Sequence, residues 1–391
     1  LILIRNDRYF MREGLYGSRE GDWPDNLERF ALYCRKTLEV AQKLNFKPDI
    51  VHINDWQAAL MAVYLKTLKM PFYNKSKCML TIHNLAYQGV FSADQFSRIG
   101  VDPRYFSMDY FEFYGKINLL KSGIVFSDLV TTVSPTYSRE IQTQKFGCGL
   151  EGVLQQKKDR LYGILNAIDY SVWHPKKDSL LAEKYDAEHL YKKKENKRAL
   201  QKESGLEVTN KIPLFGMVTR LAQQKGIDIF MEALPSLIKE YQFIVLGSGD
   251  KTYEEKLLAL SKKYPKRLAV QVKFDEKLAH KIYAGSDFFL MPSQFEPCGL
   301  SQMISFKYGT VPVVHHTGGL ADTVTDYLED PQTGNGVVLY QYSAEELSRA
   351  IKRAAFLFSL PEWGALQKRI MKYNFSWSQA ATEYIKRYKE C

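Results

Sequence analysis

The feature that most constrains this chain is an alternation of short apolar, β-rich runs with stretches of helical spacing. In the first half the runs are DIVHI (49–53), CMLTI (78–82), LVTTV (129–133) and LYGIL (161–165). In the second half they are PLFGMV (213–218), QFIVLG (242–247), LAVQV (268–272), DFFLM (287–291) and TVPVVH (310–315). Strand candidates separated by helical patterns imply an α/β protein with a mostly parallel sheet covered by helices. Phe230, Ala233, Leu234, Leu237 and Ile238 predict one helix with a single apolar stripe, kinked or ended early by Pro235. Capping boxes predict helix starts at Thr252–Glu255 and Ser343–Glu346. The opening LILI reads as a strand entered midway.

The alternation is interrupted once. After ILNAIDYSVWHP (164–175) a polar, Lys-rich segment runs to about residue 212 before strand and helix signals resume. A chain of 391 residues exceeds one ordinary core. Two doubly wound sheets facing a cleft are the economical expectation, with ligands beyond the carboxyl ends of the strands.

Composition narrows the function classes. Apolar residues at 45 % and charged residues at 25 % are those of a soluble globular protein. No apolar run approaches the roughly 20 residues that cross a bilayer, so no membrane contact is expected. The odd number and irregular spacing of the 5 cysteines predict free thiols in a reducing compartment. The histidines and cysteines show no metal-ligand spacing, and neither a metal nor a cofactor is expected. The net charge of +10 suits a polyanion or a multiply negative small substrate. The run KKKENKR (192–198) reads as a solvated helix face, and without a recognition motif nucleic acid is not an expected partner.

Candidate chemistry gathers at the ends of the strand candidates. In TRLAQQKG (219–226), Arg220 and Lys225 make a receiver for a diphosphate, although strand-end cations are also common solvated charges. GSGD (247–250), with Gly247 and Gly249, is weak as a phosphate loop and also fits a plain turn; the P-loop pattern is absent. His83 and Asn84 follow CMLTI, and Asp55 follows DIVHI; each also fits a structural role. Glu296 in SQFEPCGLSQM is the sharpest candidate. Glycoside hydrolysis needs two carboxylates about 5–10 Å apart. No second acid shares this loop, and the amides of Gly299, Leu300 and Ser301 would begin a helix aimed at an anion. A lone acid beside anion-binding groups fits a transferase better than a hydrolase.

HINDWQA, TIHNLAYQG, VSPTYSREI, LNAID, ENKRALQ, TRLAQQKG, PSQFEPCGLSQM, KYGTVPVV and TGGLADTV stand in an order and spacing that resembles bacterial glycogen synthases and plant starch synthases. The resemblance covers essentially the whole chain. It implies a GT-B fold: a Rossmann-like acceptor-side domain over 1–170, a nucleotide-sugar-binding domain over 171–372, and a terminal helix over 373–391 crossing back to the first domain. It further implies retaining transfer of glucose from ADP-glucose to an α-1,4-glucan, in bacterial cytoplasm or a plastid; oligomeric state is left open. By motif match, Arg220 and Lys225 hold the diphosphate, and Glu296 binds the glucose hydroxyls. Cys298, Gly299, Leu300 and Ser301 bound the sugar and distal phosphate. His83 contacts the glucose with Asn84 and Asn166 nearby, Asp55 lies on the sugar or acceptor side, and Phe274 takes the adenine-stacking position that is usually Tyr.

Three departures qualify the resemblance. Ile304 stands where many related retaining transferases have a second Glu, as is common in this branch, and Ala167 replaces a usual Gly. The family's opening K-T-G-G-L loop has no counterpart ahead of LILIRNDRYF; TGGL at 317–320 is the second-domain version. Without that loop the first sheet is expected to show an unpaired edge and catalysis to suffer. A non-catalytic glucan-binding relative, an inactive fragment and a UDP-glucose enzyme are the alternatives.

Overall fold

The computed structural model describes residues 2–18, 21–68 and 70–391, in two compact units: Leu1–Ile164 with Thr382–Cys391, and Leu165–Ala381. These bounds differ from the expected breaks at 170/171 and 372/373. The reason is local bonding. Ile168 donates its N–H to the Phe375 carbonyl, and Tyr170 Oη reaches the Tyr373 carbonyl and the Phe375 N–H, so both segments pack within the second unit.

The first unit holds a parallel sheet of β1 (Ile50–Asn54), β2 (Lys77–Ile82), β3 (Leu129–Thr132) and β4 (Leu161–Gly163), paired in chain order. Its central strands are buried on both faces, as a sheet covered on both sides requires. Among the described residues β1 is an edge strand. Beside it lies a groove of about 1130 Å³, lined among others by Phe30, Tyr33 and Val40 of α1 (Asn26–Lys43), by Leu44 and Phe46 just after it, and by Val51 and Ile53. Ile2 to Ile4 form no strand, contrary to the reading of LILI; among the described residues no strand pairs with them, and Leu3 is 83 % exposed. Leu1 lies outside the described residues.

In the second unit β5 (Leu214–Val218), β6 (Gln242–Leu246), β7 (Leu268–Gln271), β8 (Phe288–Met291), β9 (Val311–His315) and β10 (Val337–Leu339) make one parallel sheet. Its order is β7-β6-β5-β8-β9-β10. The chain runs outward from β5 to β7, then crosses to β8 and runs the other way. β5 and β8 are therefore neighbours across a topological switch point, where the loops after both strands diverge and leave a crevice. Phe215 of β5 stacks on Phe243 and Phe288 at 5.5 and 5.0 Å between ring centroids, tying the three central strands together.

Helix α2 (Ile227–Leu237) buries the expected stripe and ends two residues after Pro235. Ser343 caps its helix, its hydroxyl accepting from the Glu346 N–H at 3.2 Å. Thr252 does not cap; α3 (Lys251–Lys263) is capped by Asp250, whose carboxylate accepts the Thr252 N–H at 2.7 Å. The solvated-face reading of KKKENKR also fails for two lysines. Lys193 and Lys197 lie one turn apart on the inner face of their helix. Lys193 Nζ donates to the carbonyls of Tyr283 and Ala284 and to Thr310 Oγ1, and Lys197 Nζ pairs with Asp287 at 2.6 Å. Burial pushes the Lys193 ammonium down to about 7. Lys193 thus satisfies carbonyls at the end of α4 (Glu276–Gly285), and Lys197 also donates to the Ile212 carbonyl ahead of β5. All 5 cysteines are free thiols, and among the described residues no helix is long and apolar enough to cross a membrane.

Candidate active site

At the switch point the loops after β5 and β8 enclose a pocket of about 290 Å³, lined by Val218, Thr219, Arg220, Lys225, Ser293, Glu296, Gly299, Leu300 and Ser301 among others. Lys225 follows a short turn after β5, and Glu296 lies 71 positions on, after β8. The sheet brings them together: Lys225 Nζ sits 2.6 Å from Glu296 Oε2. The same oxygen accepts the Ser293 hydroxyl at 3.0 Å. Glu296 is 7 % exposed, so its charge is held by these two donors rather than by water. Arg220 is exposed at the pocket mouth, its Nη2 3.3 Å from Gln224 Oε1.

The turn after Glu296 is shaped by neighbouring backbone. Gly299 adopts φ +73°, and a Cβ there would stand 2.5 Å from Gln302 Oε1, so glycine is required. The TGGL segment supports the turn from outside: the Gly319 N–H donates to the carbonyls of Glu296 and Pro297. Helix α5 (Ser301–Lys307) begins directly after Leu300 with no side-chain cap. Cys298 is buried beside the backbone of Asn166, and burial pushes its thiol up to about 12. A thiol held neutral in this way, behind the turn, is not a nucleophile.

In the first unit Asp55, directly after β1, takes φ +54°, a conformation that costs an L-residue roughly 1–2 kcal/mol. The strain positions its carboxylate to accept the His83 N–H at 2.8 Å. Burial raises the Asp55 pKa, opposed by the hydrogen bond from the His83 backbone. The ring of His83 meets Asn54 Oδ1 through Nε2 at 2.9 Å. Asn84 Oδ1 accepts the Ala86 N–H at 3.0 Å, an Asx turn, and Tyr137 Oη accepts the Leu85 N–H from beneath. The side chain of Asn84 is thus engaged in shaping the turn that presents His83.

The expected site residues therefore fall into groups. Arg220, Lys225, Glu296, Gly299, Leu300 and Ser301 line one pocket, Cys298 and Asn166 stand beside each other behind the turn, and Asp55, His83 and Asn84 form one loop cluster. Phe274 is 92 % exposed between β7 and α4 and is not among the pocket's lining. Gly247 serves chain packing: a Cβ there would fall 1.7 Å from the Thr219 carbonyl oxygen. Gly249 bridges to Leu221 in the same join between two strand ends. Sequence reasoning did not single out Ser293, Asn54 or Tyr137, although all three lie inside motifs it quoted. For Ser293 and Asn54 a polar side chain close in sequence to Glu296 and Asp55 was the available signal; Tyr137 reaches Leu85 from 52 positions away and carried none.

Known proteins with this pattern decide the family. The profile of the starch synthase catalytic domain matches residues 1–156, and that of glycosyl transferases group 1 matches residues 197–356. Glycogen synthase of Pseudothermotoga lettingae is 47 % identical over 397 aligned positions, spanning 100 % of this chain and 80 % of that protein. The chain belongs to the glycogen and starch synthase family. Glycogen synthase 2 of Geobacter sulfurreducens agrees, at 45 % identity over 100 % of this chain and 81 % of its own. The solved catalytic domain of starch synthase IV from Arabidopsis thaliana, bound to ADP and acarbose, superposes with a TM-score of 0.89 at 34 % identity, covering 95 % of this chain and 78 % of that one. The protein is a GT-B glycosyltransferase that elongates glucan, and its two parallel-sheet units are the Rossmann-like halves of that fold.

Proposed function

We propose that this synthase transfers glucose from ADP-glucose to the non-reducing end of an α-1,4-glucan with retention of configuration. The observation that carries the reading is the Lys225–Glu296–Ser293 cluster at the β5/β8 switch point. A diphosphate entering the pocket competes with Glu296 for Lys225. Once Lys225 and Arg220 hold the diphosphate, they stabilise the negative charge that develops as the glycosidic bond to it breaks. Glu296, released from Lys225 but still held by Ser293, accepts hydrogen bonds from glucose hydroxyls and favours the positive charge growing on the sugar. Cys298, Asn166 and the Gly299–Ser301 segment bound the sugar and the distal phosphate.

Phe274, exposed and unstacked among the described residues, is assigned to the adenine ring. His83 is assigned to the glucose, with Asp55 as the strut of its loop. The ADP in the Arabidopsis starch synthase structure and the bacterial relatives support an adenine donor and a bacterial cytoplasmic setting. The test is transfer of label from ADP-[14C]glucose to maltoheptaose, run beside UDP-[14C]glucose. The reading expects β-amylase-sensitive label from ADP-glucose and far less from UDP-glucose. Preference for UDP-glucose, or a β-linked product, would overturn it.

A further inference from the structure

Behind the pocket, on α4, stands a buried tyrosine that none of the motifs includes. Tyr283 is 3 % exposed, and its hydroxyl donates to Ser301 Oγ at 2.9 Å. Ser301 in turn lines the pocket with Arg220, Lys225 and Glu296. We propose that Tyr283 is a positioning residue for the donor's phosphate: by spending its one proton on Ser301 Oγ, it leaves the serine's own proton aimed into the pocket at an anionic oxygen. The proposal rests on the donor-site reading given above.

The geometry fixes the tyrosine on every side. Its ring stacks on Phe289 of β8 at 4.7 Å and 21°, and meets the edge of Trp173 at 5.5 Å. Trp173 is itself stacked on His280 at 4.0 Å and 15°. His280 and Tyr308 both bond Asp178 Oδ2 at 2.6 Å, which locks that layer. The Tyr283 carbonyl is taken by Lys193. A ring so packed cannot turn its hydroxyl elsewhere without opening the core. Burial raises the phenol far above its ordinary pKa, so it remains a donor at every working pH. A hydroxyl has one proton and two acceptor sites. With one of its acceptor sites filled from behind, Ser301 keeps a single rotor preference toward the pocket, and a phosphate oxygen gains a donor already oriented.

Three variants of the full chain test this: Tyr283→Phe, Ser301→Ala and the double variant, each titrated with ADP by calorimetry and assayed with ADP-glucose. Tyr283→Phe removes one oxygen and keeps the ring packing, and melting curves verify the fold. The expected result is an ADP Kd raised about three- to tenfold, in line with one hydrogen bond. KM for ADP-glucose should rise in step while kcat stays within about twofold. In the Ser301→Ala background Tyr283→Phe should add nothing, the mark of a shared pathway. An unchanged Kd, or the same rise with and without Ser301's hydroxyl, would overturn the proposal while leaving the donor site standing. Failure of the unaltered protein to bind ADP at all would overturn both.

Discussion

The second unit holds its candidate residues by topology and the first by local strain. In the second, Lys225 and Glu296 meet because β5 and β8 are adjacent where the strand order reverses, and the loops need only be short and rigid. In the first, four strands run in chain order, and no reversal among them makes a crevice. There the backbone of His83 is tied by Asp55, held at φ +54° with its carboxylate bridging from the end of β1 to the loop after β2, while Asn54 holds the ring. A topological site tolerates change outside its polar atoms. A strained strut concentrates its energy in one residue and fails when that residue is replaced.

That contrast can be broken experimentally. The largest effect is expected from Glu296→Gln, which keeps an acceptor for Ser293 but loses the charge. Transfer to glucan should fall by about 10²–10³-fold, the scale of removing one electrostatic stabiliser from an active site, with melting shifted by only a few degrees. Near-normal transfer would remove Glu296 from the mechanism.

Asp55 comes next. Asp55→Ala leaves the His83 N–H without its acceptor in a half-buried loop, a cost of about 1–3 kcal/mol, and keeps an L-residue in a left-handed conformation. Asp55→Gly loses the same bond but relieves the strain by roughly 1 kcal/mol. Both variants should lose more than tenfold in transfer rate, and the glycine variant should melt several degrees higher. Identical melting temperatures would show that the strain is not borne there.

A smaller change is expected from Phe274→Ala. Loss of a base-stacking ring costs about 1–3 kcal/mol, so the ADP Kd should rise about tenfold or more with no change in melting temperature. Pyrophosphate, which lacks adenine, should bind as before; an equal loss for pyrophosphate would contradict the assignment.

The smallest effect concerns the end of the chain in the first unit. His52 sits between Thr81 and Tyr388 of the last helix, at 2.6 and 2.9 Å, and burial lowers its pKa to about 4. The unfolded imidazole takes up its proton near the ordinary value of about 6.5, so its contribution to stability is complete above that pH and is lost as pH falls toward about 4. Melting temperature should decline from pH 7 to 4.5, and less steeply in His52→Gln. Parallel declines would remove His52 as the source.

The strand plan was legible because each run of the two sheets is a dense apolar segment bounded by polar or Gly-containing turns. β10 and the small antiparallel sheet of Val90–Ser92, Glu112–Phe113 and Lys116–Asn118 escaped because two or three residues carry no period; β4, equally short, was legible only through the longer run LYGIL. Lys193 and Lys197 were misread because charge says nothing about the acceptors other segments present: the end of α4 for Lys193, the Ile212 carbonyl and Asp287 for Lys197. The stretch around Glu296 was readable as a site, but not its pairing with Lys225, which only the sheet order creates. Asp55 was readable as a candidate or as part of a turn, whereas its positive φ was not, since Asn and Asp favour turns of either hand.

The central claim is that the donor diphosphate is held at the β5/β8 switch point by residues of the second unit. Calorimetric titration of ADP into the unaltered chain, Lys225→Ala and His83→Ala tests it most directly, with melting curves to verify that each variant is folded. The account predicts one ADP per chain, affinity reduced at least tenfold in Lys225→Ala, and little change in His83→Ala. Undiminished affinity in folded Lys225→Ala would contradict it.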